Sequence, residues 1–568
     1  ILTALEHLPL NSDTAADRVA DRLRESRLAK ERLARVAEAS PRIGQFIDET
    51  LKKFNGTPGQ PESFDALHYL LEQQSYRLAY WKTAVHEINY RRFFDINQLA
   101  GLRVEEPTVF AAMHALLLRM IRDRKVTGVR LDHIDGLFDP AGYLDQFREA
   151  VLEQRAATFL TESRSESSLD QLREWWKAEL ATHPQEPIAR PLYIVVEKIL
   201  SGSESLPPWP VAGTTGYDFM NDVLRLFVNP RNARAMRQSY ERFTERTDPF
   251  ADVAYECKKL ITWTSMAGEL NVLAHALNRV SEGERRARDF TLDSIREALR
   301  EVATCFPVYR TYVGVNVAVE TDRQVIDQAI HRARRRNPAM EASVFDFVRG
   351  AILPDREALS EGGYQARLAF AMKFQQYTSP LQAKGIEDTA FYRYNVLASL
   401  NEVGGDPQRF GGTVAQFHQA NQNRRTQSPH GMLATATHDT KRGEDARCRL
   451  HVLSEVPVTW SKRVRRWAEI NADCRSTVDG VPAPDRNDEY LYYQALLGCW
   501  PAGMTEPTAT PQLIERLQGY MLKATREAKV HTSWISPNEE YDRAVAKFVE
   551  QTLAGPQSRH FLTRFLPF

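Results

Sequence analysis

The sequence predicts an α/β chain built around a buried parallel sheet, and three observations favour this fold class. Three short runs of β-branched and apolar residues each end in an acidic residue, at Asp132, Glu197 and Asp439. Segments with the spacing of amphipathic helices lie between them, as connections between neighbouring parallel strands require. Because the carboxyl ends of parallel strands meet at one edge of a sheet, the three carboxylates are expected in one polar cleft.

Residues 1–87 are predicted to form a helical subdomain. From residue 14 to residue 53, charged residues alternate with an apolar stripe that includes Leu28, Leu33 and Val36. A cluster of Gly and Pro at residues 56–61 interrupts this pattern, and the apolar spacing of ALHYLLEQQSYRLAYWK then indicates another helix.

INYRRFFDINQLAGLR, residues 88–103, mixes aromatic rings with arginines and amides. Such side chains can line a polar cleft, because arginine and amide groups each offer several hydrogen-bonding edges. The same stretch also fits a structured loop that packs Tyr90, Phe93 and Phe94 into the core. The residues alone leave both interpretations open.

The region 88–215 carries the first two predicted strands. A helix is predicted from Pro107 to Arg124, followed by the strand in KVTGVRLDHIDGLF and, after a helical stretch, by the strand in PLYIVVEKIL. Asp132 alone also fits a turn, and Glu197 alone also fits an ion pair with Lys198. Two acid-ended strands in succession favour the functional interpretation, because catalytic residues of barrel enzymes lie at the carboxyl ends of strands.

The region 216–430 is predicted to be a largely helical insertion with one or more barrel strands, and CFPVYRTYV at residues 305–313 is its strand candidate. Within it, QAKGIEDTAFYRY fits either a helix start capped by Asp388 and Thr389 or a part of the site. The region 431–568 is expected to begin with the third acid-ended strand, MLATATHD, and to continue as helices.

Composition excludes several classes of function. The 74 basic and 74 acidic residues leave no net charge, so general attraction to nucleic acid or to an anionic membrane is not expected. The five cysteines show no CxxC pairing, which is typical of reduced thiols rather than of a disulfide framework or a zinc site. No apolar run approaches the length of a membrane helix, and a cytoplasmic location is expected.

Three carboxylates at one edge suit two kinds of chemistry. Cleavage of a glycosidic bond with retention needs a carboxylate nucleophile and a second carboxyl group that acts first as an acid and then as a base. Two acids close together raise the pKa of one of them and keep it protonated near neutrality. A Mg²⁺ or Mn²⁺ site also uses several carboxylates, so the residues alone leave this alternative open.

Short motifs around the three acids decide between these alternatives by resemblance. Arg130-Leu131-Asp132-His133, Glu197 and His438-Asp439 resemble three short motifs of the alpha-amylase superfamily. More narrowly, an ordered set of segments closely resembles the maltooligosyltrehalose synthase family: NYRRFFDINQLAGLR, GVRLDHIDGL, GTTGYDF, FPVYRTY, QAKGIEDTAFYRY and THDTKRGEDAR. One four-residue motif is a weak signal, but this ordered set is highly specific.

The resemblance implies a (β/α)8 TIM barrel with large, mainly helical insertions. It also implies that Asp132 is a nucleophile that forms a covalent glycosyl-enzyme, that Glu197 is the acid/base, and that Asp439 binds hydroxyls of the distorted sugar. The implied reaction turns the reducing-end α-1,4 linkage of a maltooligosaccharide into an α,α-1,1 linkage. No cofactor and no metal ion are implied.

Further residues are expected to bind the substrate. By resemblance, Arg130 orients the nucleophile, His438 assists Asp439, and His133 lines the neighbouring part of the site. A pocket that holds the freed glucose and excludes water is expected from two segments, with the side chains of Tyr90, Arg91, Arg92, Phe93, Lys384, Glu387, Asp388 and Tyr392.

The sequence departs from the family pattern at both ends. The first superfamily motif, the final barrel strand and a β-rich C-terminal domain have no counterpart, so the barrel is expected to be incomplete at both ends. Three interpretations follow: an intramolecular transglycosylase that makes maltooligosyltrehalose for trehalose biosynthesis, an amylase-like hydrolase, and an inactive fragment that binds glucan or acts as a scaffold. The first implies functional pairing with a maltooligosyltrehalose trehalohydrolase.

Overall fold

The computed structural model describes residues 1–10, 12–74, 76–163, 167–183, 190–202, 204–314 and 320–568, and it divides into two compact units, Ile1–Thr83 and Ala84–Phe568. The first unit contains the helices α1 (Leu2–Glu6), α2 (Ala16–Ala39), α3 (Pro41–Asn55) and α4 (Asp65–Glu72). Pro41 occupies the first turn of α3, where its missing N–H costs no helical hydrogen bond. The helical pattern predicted for residues 14–53 is confirmed, whereas the helix predicted over residues 66–82 ends at Glu72.

The second unit contains all the strands found in the described residues. They are β1 (Arg92–Phe93), β2 (Ile96–Ala100), β3 (Gly128–Leu131), β4 (Tyr193–Val196), β5 (Gly213–Thr214), β6 (Ser476–Val478) and β7 (Val481–Ala483). β1 and β2 form an antiparallel hairpin, as do β6 and β7. β3, β4 and β5 form a parallel sheet in that order.

The parallel sheet confirms the first two strand predictions. Ile194, Val195 and Val196 are buried, so β4 is covered on both faces, as its continuous apolar run predicts. β3 lies at the edge of this sheet, and its residues are half-buried or exposed. Together with Phe110 and Phe147 from the flanking helices, the sheet residues form one hydrophobic core.

Helices make up most of the second unit. In chain order they are α5 (Pro107–Arg122), α6 (Pro140–Ser163), α7 (Leu169–Thr182), α8 (Tyr217–Leu226), α9 (Ala233–Thr244), α10 (Phe250–Trp263), α11 (Ala267–Glu282), α12 (Leu292–Thr304), α13 (Glu320–Arg336), α14 (Ala342–Ile352), α15 (Glu361–Gln382), α16 (Phe391–Arg393), α17 (Val414–Gln427), α18 (Glu444–His451), α19 (Pro457–Ile470), α20 (Arg486–Cys499), α21 (Pro511–Ala528), α22 (Glu539–Ala554) and α23 (Ser558–Phe565). No helix in the described ranges combines the length and apolar character needed to cross a bilayer.

The third predicted strand, at residues 432–439, is wrong. The chain there is an irregular segment in which Met432 and Leu433 are exposed. Its backbone makes one hydrogen bond to the sheet, from Met432 N–H to Thr214 C=O at 3.0 Å. Since β5 has only two residues, it offers too short an edge for a further strand.

The strand predicted at residues 305–313 is also wrong, although the segment is buried. A side chain takes the place of a neighbouring strand: the amide of Gln375 accepts from Val313 N–H at 2.7 Å and donates to Val313 C=O at 2.8 Å. The apolar pattern of residues 305–313 therefore indicates that the segment is buried between helices, and not that it is a strand of a sheet.

The segment containing Asp388 and Thr389 is not a capped helix start. The chain continues from α15 through a π-helix (Ala383–Ala390) into α16 without interruption. The Thr389 hydroxyl donates to the Lys384 carbonyl five residues earlier, at 2.8 Å, in keeping with the wider turn. Such π-turns often occur at functional sites.

Candidate active site

Asp132 and Glu197 directly follow the last paired residues of β3 and β4. The register pairs Leu131 with Val196, so both strands deliver their next residue to the same edge. Glu197 N–H donates to Leu131 C=O at 2.8 Å, and His133 N–H donates to Glu197 Oε2 at 2.8 Å. The carboxylate of Glu197 therefore reaches the chain segment that carries Asp132.

The two carboxyl groups lie in unlike environments. Burial, followed by the charge of Asp132, raises the pKa of Glu197 to about 7, against a smaller opposing effect of the His133 N–H. The side chain of Asp132 is 57% exposed, and its Oδ1 lies 2.6 Å from Nη1 of Arg130. One carboxyl group is thus suited to hold a proton near neutrality, while the other is paired with a cation.

Asp439 reaches this edge although its segment is not a strand. The hydroxyl of Tyr217 donates to Asp439 Oδ2 at 2.9 Å and lies 3.1 Å from the Thr437 hydroxyl. Nε2 of His438 lies 3.2 Å from the same Asp439 oxygen. Burial raises the pKa of Tyr217 to about 12, with smaller contributions from the charges of Asp439 and Glu197.

Two glycines let the segment before Asp439 pass close to β5. A Cβ atom on Gly213 would lie 2.6 Å from the Cα of Gly431, and one on Gly216 would lie 2.4 Å from the Met432 carbonyl oxygen. Gly216 also has φ of 88°, which favours glycine. The GTTG turn therefore fixes the path of the third acid, which explains the presence of GTTGYDF among the recognised segments.

An aromatic wall adjoins the acids. The rings of Phe93 and Phe94 lie 5.1 and 4.8 Å from the ring of His133, measured between centroids. Burial, with a smaller contribution from Arg91, lowers the pKa of His133 to about 4. His133 is therefore a neutral ring at pH 7, able to donate one hydrogen bond and to accept another.

The arginines and the tyrosine of the hairpin segment have different positions. Nη1 of Arg91 donates to the carbonyl of Gly136 at 2.5 Å, and the hydroxyl of Tyr90, which is exposed, donates to the Asn97 carbonyl at 2.7 Å. Arg92, predicted to contact the substrate, is instead buried and forms an ion pair of 2.8 Å with Glu269. Its guanidinium is thus used to attach the hairpin to the helical part.

The π-helix brings charged groups to the aromatic wall. Nζ of Lys384 lies 3.1 Å from Asp95, 3.3 Å from Asp388 and 5.5 Å from the centre of the Phe94 ring. Nζ of Lys441, two residues after Asp439, lies 3.7 Å from Asp388. The structure therefore joins the hairpin, the π-helix and the third-acid segment through one set of ion pairs.

Glu387 and Tyr392, predicted to line the glucose pocket, are both buried. Glu387 is buried and accepts a hydrogen bond from the Tyr309 hydroxyl; burial raises its pKa to about 7, partly opposed by Lys441. Tyr392 is 3% exposed and packs beneath Lys441, so its ring is a support and not a stacking surface for a sugar.

Two further residues that the sequence does not predict as functional, Tyr217 and Tyr309, adjoin the site. Tyr217 lies in GTTGYDF and Tyr309 in FPVYRTY, two of the segments that carry the family resemblance, but the sequence predicts no role for either side chain. Neither shows a signal of its own, because a tyrosine in an apolar surrounding is usually a core residue. Among the residues that the structure describes, no group of three or more His, Cys, Asp or Glu side chains could hold a metal ion.

Comparisons with known proteins support the resemblance. No protein-family model matches the chain. A maltooligosyl trehalose synthase of Mycobacterium tuberculosis is 32% identical over 488 residues, which cover 85% of this chain and 53% of the relative. A solved structure of maltooligosyltrehalose synthase from Arthrobacter ramosus superimposes with a TM-score of 0.69 at 30% identity, covering 90% of this chain and 55% of that one.

A second solved structure, a hypothetical maltooligosyl trehalose synthase of Sulfolobus tokodaii, gives a TM-score of 0.64 at 29% identity and covers 89% of this chain and 56% of that one. The resemblance to maltooligosyltrehalose synthases is therefore confirmed over most of the chain. The chain spans about half the length of the relatives that it matches.

Proposed function

We propose that this chain carries the catalytic centre of an intramolecular transglycosylase that converts the reducing-end α-1,4 linkage of maltooligosaccharides into an α,α-1,1 linkage. The observation that carries the proposal is the pair of unlike carboxyl groups at adjacent strand ends: Glu197, with its pKa raised to about 7, and Asp132, paired with Arg130. The similarity to maltooligosyltrehalose synthases supplies the substrate class.

In the first step, the carboxylate of Asp132 attacks the anomeric carbon of the penultimate glucose. The bond from that carbon to O4 of the terminal glucose breaks, and the protonated Glu197 gives its proton to O4. Arg130 holds the nucleophile in position, since its guanidinium donates to one carboxylate oxygen and leaves the other for attack.

In the second step, the freed glucose turns and presents its own anomeric hydroxyl. Glu197, now a carboxylate, takes the hydroxyl proton while O1 attacks the glycosyl carbon and Asp132 leaves. Two inversions keep the glycosyl carbon in the α configuration, and attack by the α-anomer of the glucose makes the product linkage α,α-1,1. Tyr217, Asp439 and His438 are assigned to the hydroxyls of the glycosyl unit, because the three share hydrogen bonds at the rim.

The freed glucose must compete with water, so it has to stay beside the glycosyl-enzyme at high effective concentration. Phe93 and His133 are assigned to its apolar face, and Lys384 with Asp388 to its hydroxyls. Arg91 and Glu387 support this pocket from behind, through Gly136 and Tyr309 respectively. Tyr90 is assigned to the rim.

The proposal extends to the fold and its parts. β3, β4 and β5 are taken as consecutive strands of a (β/α)8 barrel, all from the region 88–215, with 216–430 as the helical insertion. The region 431–568 contributes the third acid, Asp439, to the same edge through an irregular segment. The reaction needs no cofactor, and its non-reducing product is a suitable substrate for a trehalohydrolase.

One observation favours hydrolysis as a second candidate function: the 57% exposure of Asp132 leaves a path for water to a glycosyl-enzyme. Incubation with maltopentaose separates the candidates. A transglycosylase lowers reducing sugar and yields a non-reducing product of unchanged mass, whereas a hydrolase raises reducing sugar. A chain that does neither, but whose migration is retarded by glucan in affinity electrophoresis, would be a binding module. In that case the proposal would be wrong.

A further inference from the structure

The turn that follows Asp132 is held by side chains from distant parts of the chain. Nη1 of Arg310 donates to the carbonyls of Asp135 and Leu137, both at 2.7 Å. The carbonyl of Gly136 accepts from Arg91 at 2.5 Å and from Gln376 at 2.9 Å. Three consecutive carbonyls therefore have side-chain donors, which is unusual for a turn that is free to move.

A buried lysine, Lys198, directly follows Glu197 at the end of β4. The side chain of Lys198 is fully buried, and its Nζ lies 2.7 Å from Glu204 Oε1 and 3.4 Å from Asp135 Oδ2. The ring centres of Tyr309 and Tyr312 lie 5.9 and 5.8 Å from the same nitrogen. The ammonium group is thus enclosed by two carboxylates and two aromatic faces.

Asp135 links this lysine to the other strand end. Its second carboxylate oxygen accepts a hydrogen bond from the Tyr312 hydroxyl, while its backbone carbonyl is held by Arg310. Asp135 stands three residues after Asp132, and Lys198 stands one residue after Glu197. Asp135, Lys198, Glu204 and Arg310, here called the buried charge cluster, carry two positive and two negative charges.

We propose that the Lys198–Asp135 ion pair of the buried charge cluster is a positioning device that joins the ends of β3 and β4 and so sets the placement of Asp132 relative to Glu197. The inference rests on the proposed function only in one respect: the effect of the placement on kcat is measured in the proposed reaction. Neither residue reaches the reacting atoms.

Physical reasons favour positioning over simple stabilisation. Buried ion pairs are often replaceable by apolar residues without loss of stability, because the cost of desolvating the charges offsets their attraction. They do fix geometry, since each charge is costly to leave unpaired. Catalytic groups need such fixing, because a misplacement of about 1 Å can lower the rate about 100-fold.

The test separates charge balance from placement. Lys198→Gln alone leaves one excess negative charge in the cluster, so both Tm and kcat on maltopentaose should fall. Lys198→Gln combined with Asp135→Asn removes both charges of the pair and leaves only Glu204 without its partner, so we expect Tm to recover in part. We expect kcat of this double variant to stay about 100-fold low, with KM changed by less than about 3-fold.

A purely structural role predicts a different outcome, in which kcat of the double variant recovers together with Tm, and that result would overturn the proposal. Asp135→Asn alone keeps Lys198 paired with Glu204, so it should lower kcat with little change in Tm, and it serves if the double variant does not fold. Lys259→Gln with Glu301→Gln removes another ion pair, of 2.8 Å, between α10 and α12, in which Glu301 is buried and Lys259 is partly exposed, and should leave kcat unchanged.

A crystal structure keeps the test independent of the reaction. If the unmodified chain converts no maltopentaose, the proposed function fails, but the placement of the acids can still be measured. In the double variant we expect the hydrogen bond from His133 N–H to Glu197 Oε2, 2.8 Å in the unmodified chain, to be broken. The same bond intact in the double variant would refute the positioning role.

Discussion

Replacing Glu197 by glutamine should abolish activity and make the protein more stable above neutral pH. Burial and the charge of Asp132 raise the pKa of Glu197 to about 7, from an ordinary value of 4.5. At pH 8 the folded protein therefore carries a carboxylate charge that its surroundings disfavour. A glutamine has no such charge, and its amide oxygen can still accept the His133 N–H.

The size and the pH window follow from the pKa. Between pH 4.5 and about 7 the folded state holds a proton that the unfolded state has released, so the free energy of unfolding falls as pH rises. At 1.36 kcal/mol per pKa unit, the full penalty above pH 7 is about 3 kcal/mol. Below pH 4.5 the carboxyl group is protonated in both states and the penalty vanishes.

Thermal unfolding at pH 4.5 and pH 8 measures this effect. For a unit of this size we expect Tm of Glu197→Gln to exceed that of the unmodified chain by roughly 3 °C at pH 8 and to match it at pH 4.5. Glu149→Gln, a change of the same chemistry at an exposed position, should show no difference at either pH. A Glu197→Gln variant that is no more stable at pH 8 would show that the carboxyl group is not held in a disfavoured charged state.

Three further predictions concern activity. The pH profile of kcat/KM should fall on its alkaline side near pH 7, because Glu197 must be protonated for the first step; a profile flat to pH 9 would refute this. Asp132→Ala should lower kcat by at least about 10⁴-fold without lowering Tm, because its side chain is largely exposed; near-normal turnover would exclude it as the nucleophile. Phe93→Ala and Lys384→Ala should raise the ratio of glucose to trehalosyl product from maltopentaose more than they slow consumption, whereas Tyr392→Ala should mainly destabilise the fold, by roughly 3–5 kcal/mol in urea unfolding. An unchanged ratio in the first two variants would place the glucose pocket elsewhere.

The strand ends could be predicted because their signal is local. A short run of strand-forming residues followed by an acid identifies both the strand and the edge at which it ends, and the bounds of β3 and β4 agree with this prediction within two residues. Asp439 shows the limit of this reasoning. It reaches the same edge through Tyr217 and the close approach of its segment to Gly213 and Gly216, which are contacts distant in sequence.

The sequence predicts which polar side chains lie near the site better than it predicts which of them are buried. Arg92 and Tyr392 are residue types that commonly contact sugars, but Arg92 pairs with Glu269 and Tyr392 belongs to a hydrophobic core built from segments far along the chain. Lys198 illustrates the opposite case. A surface ion pair with Glu197 was one interpretation from sequence, whereas its actual partners are Asp135 and Glu204 inside the fold.

The central claim is that Asp132 forms a covalent bond to the sugar and Glu197 releases it. Trapping with an activated glucosyl fluoride tests this, because fluoride leaves without an acid while the second step still needs a base. In Glu197→Gln we expect the glycosyl-enzyme to accumulate, with peptide mass spectrometry locating the adduct on Asp132. An adduct on another residue, or no adduct while the unmodified chain consumes the same fluoride, would contradict the account.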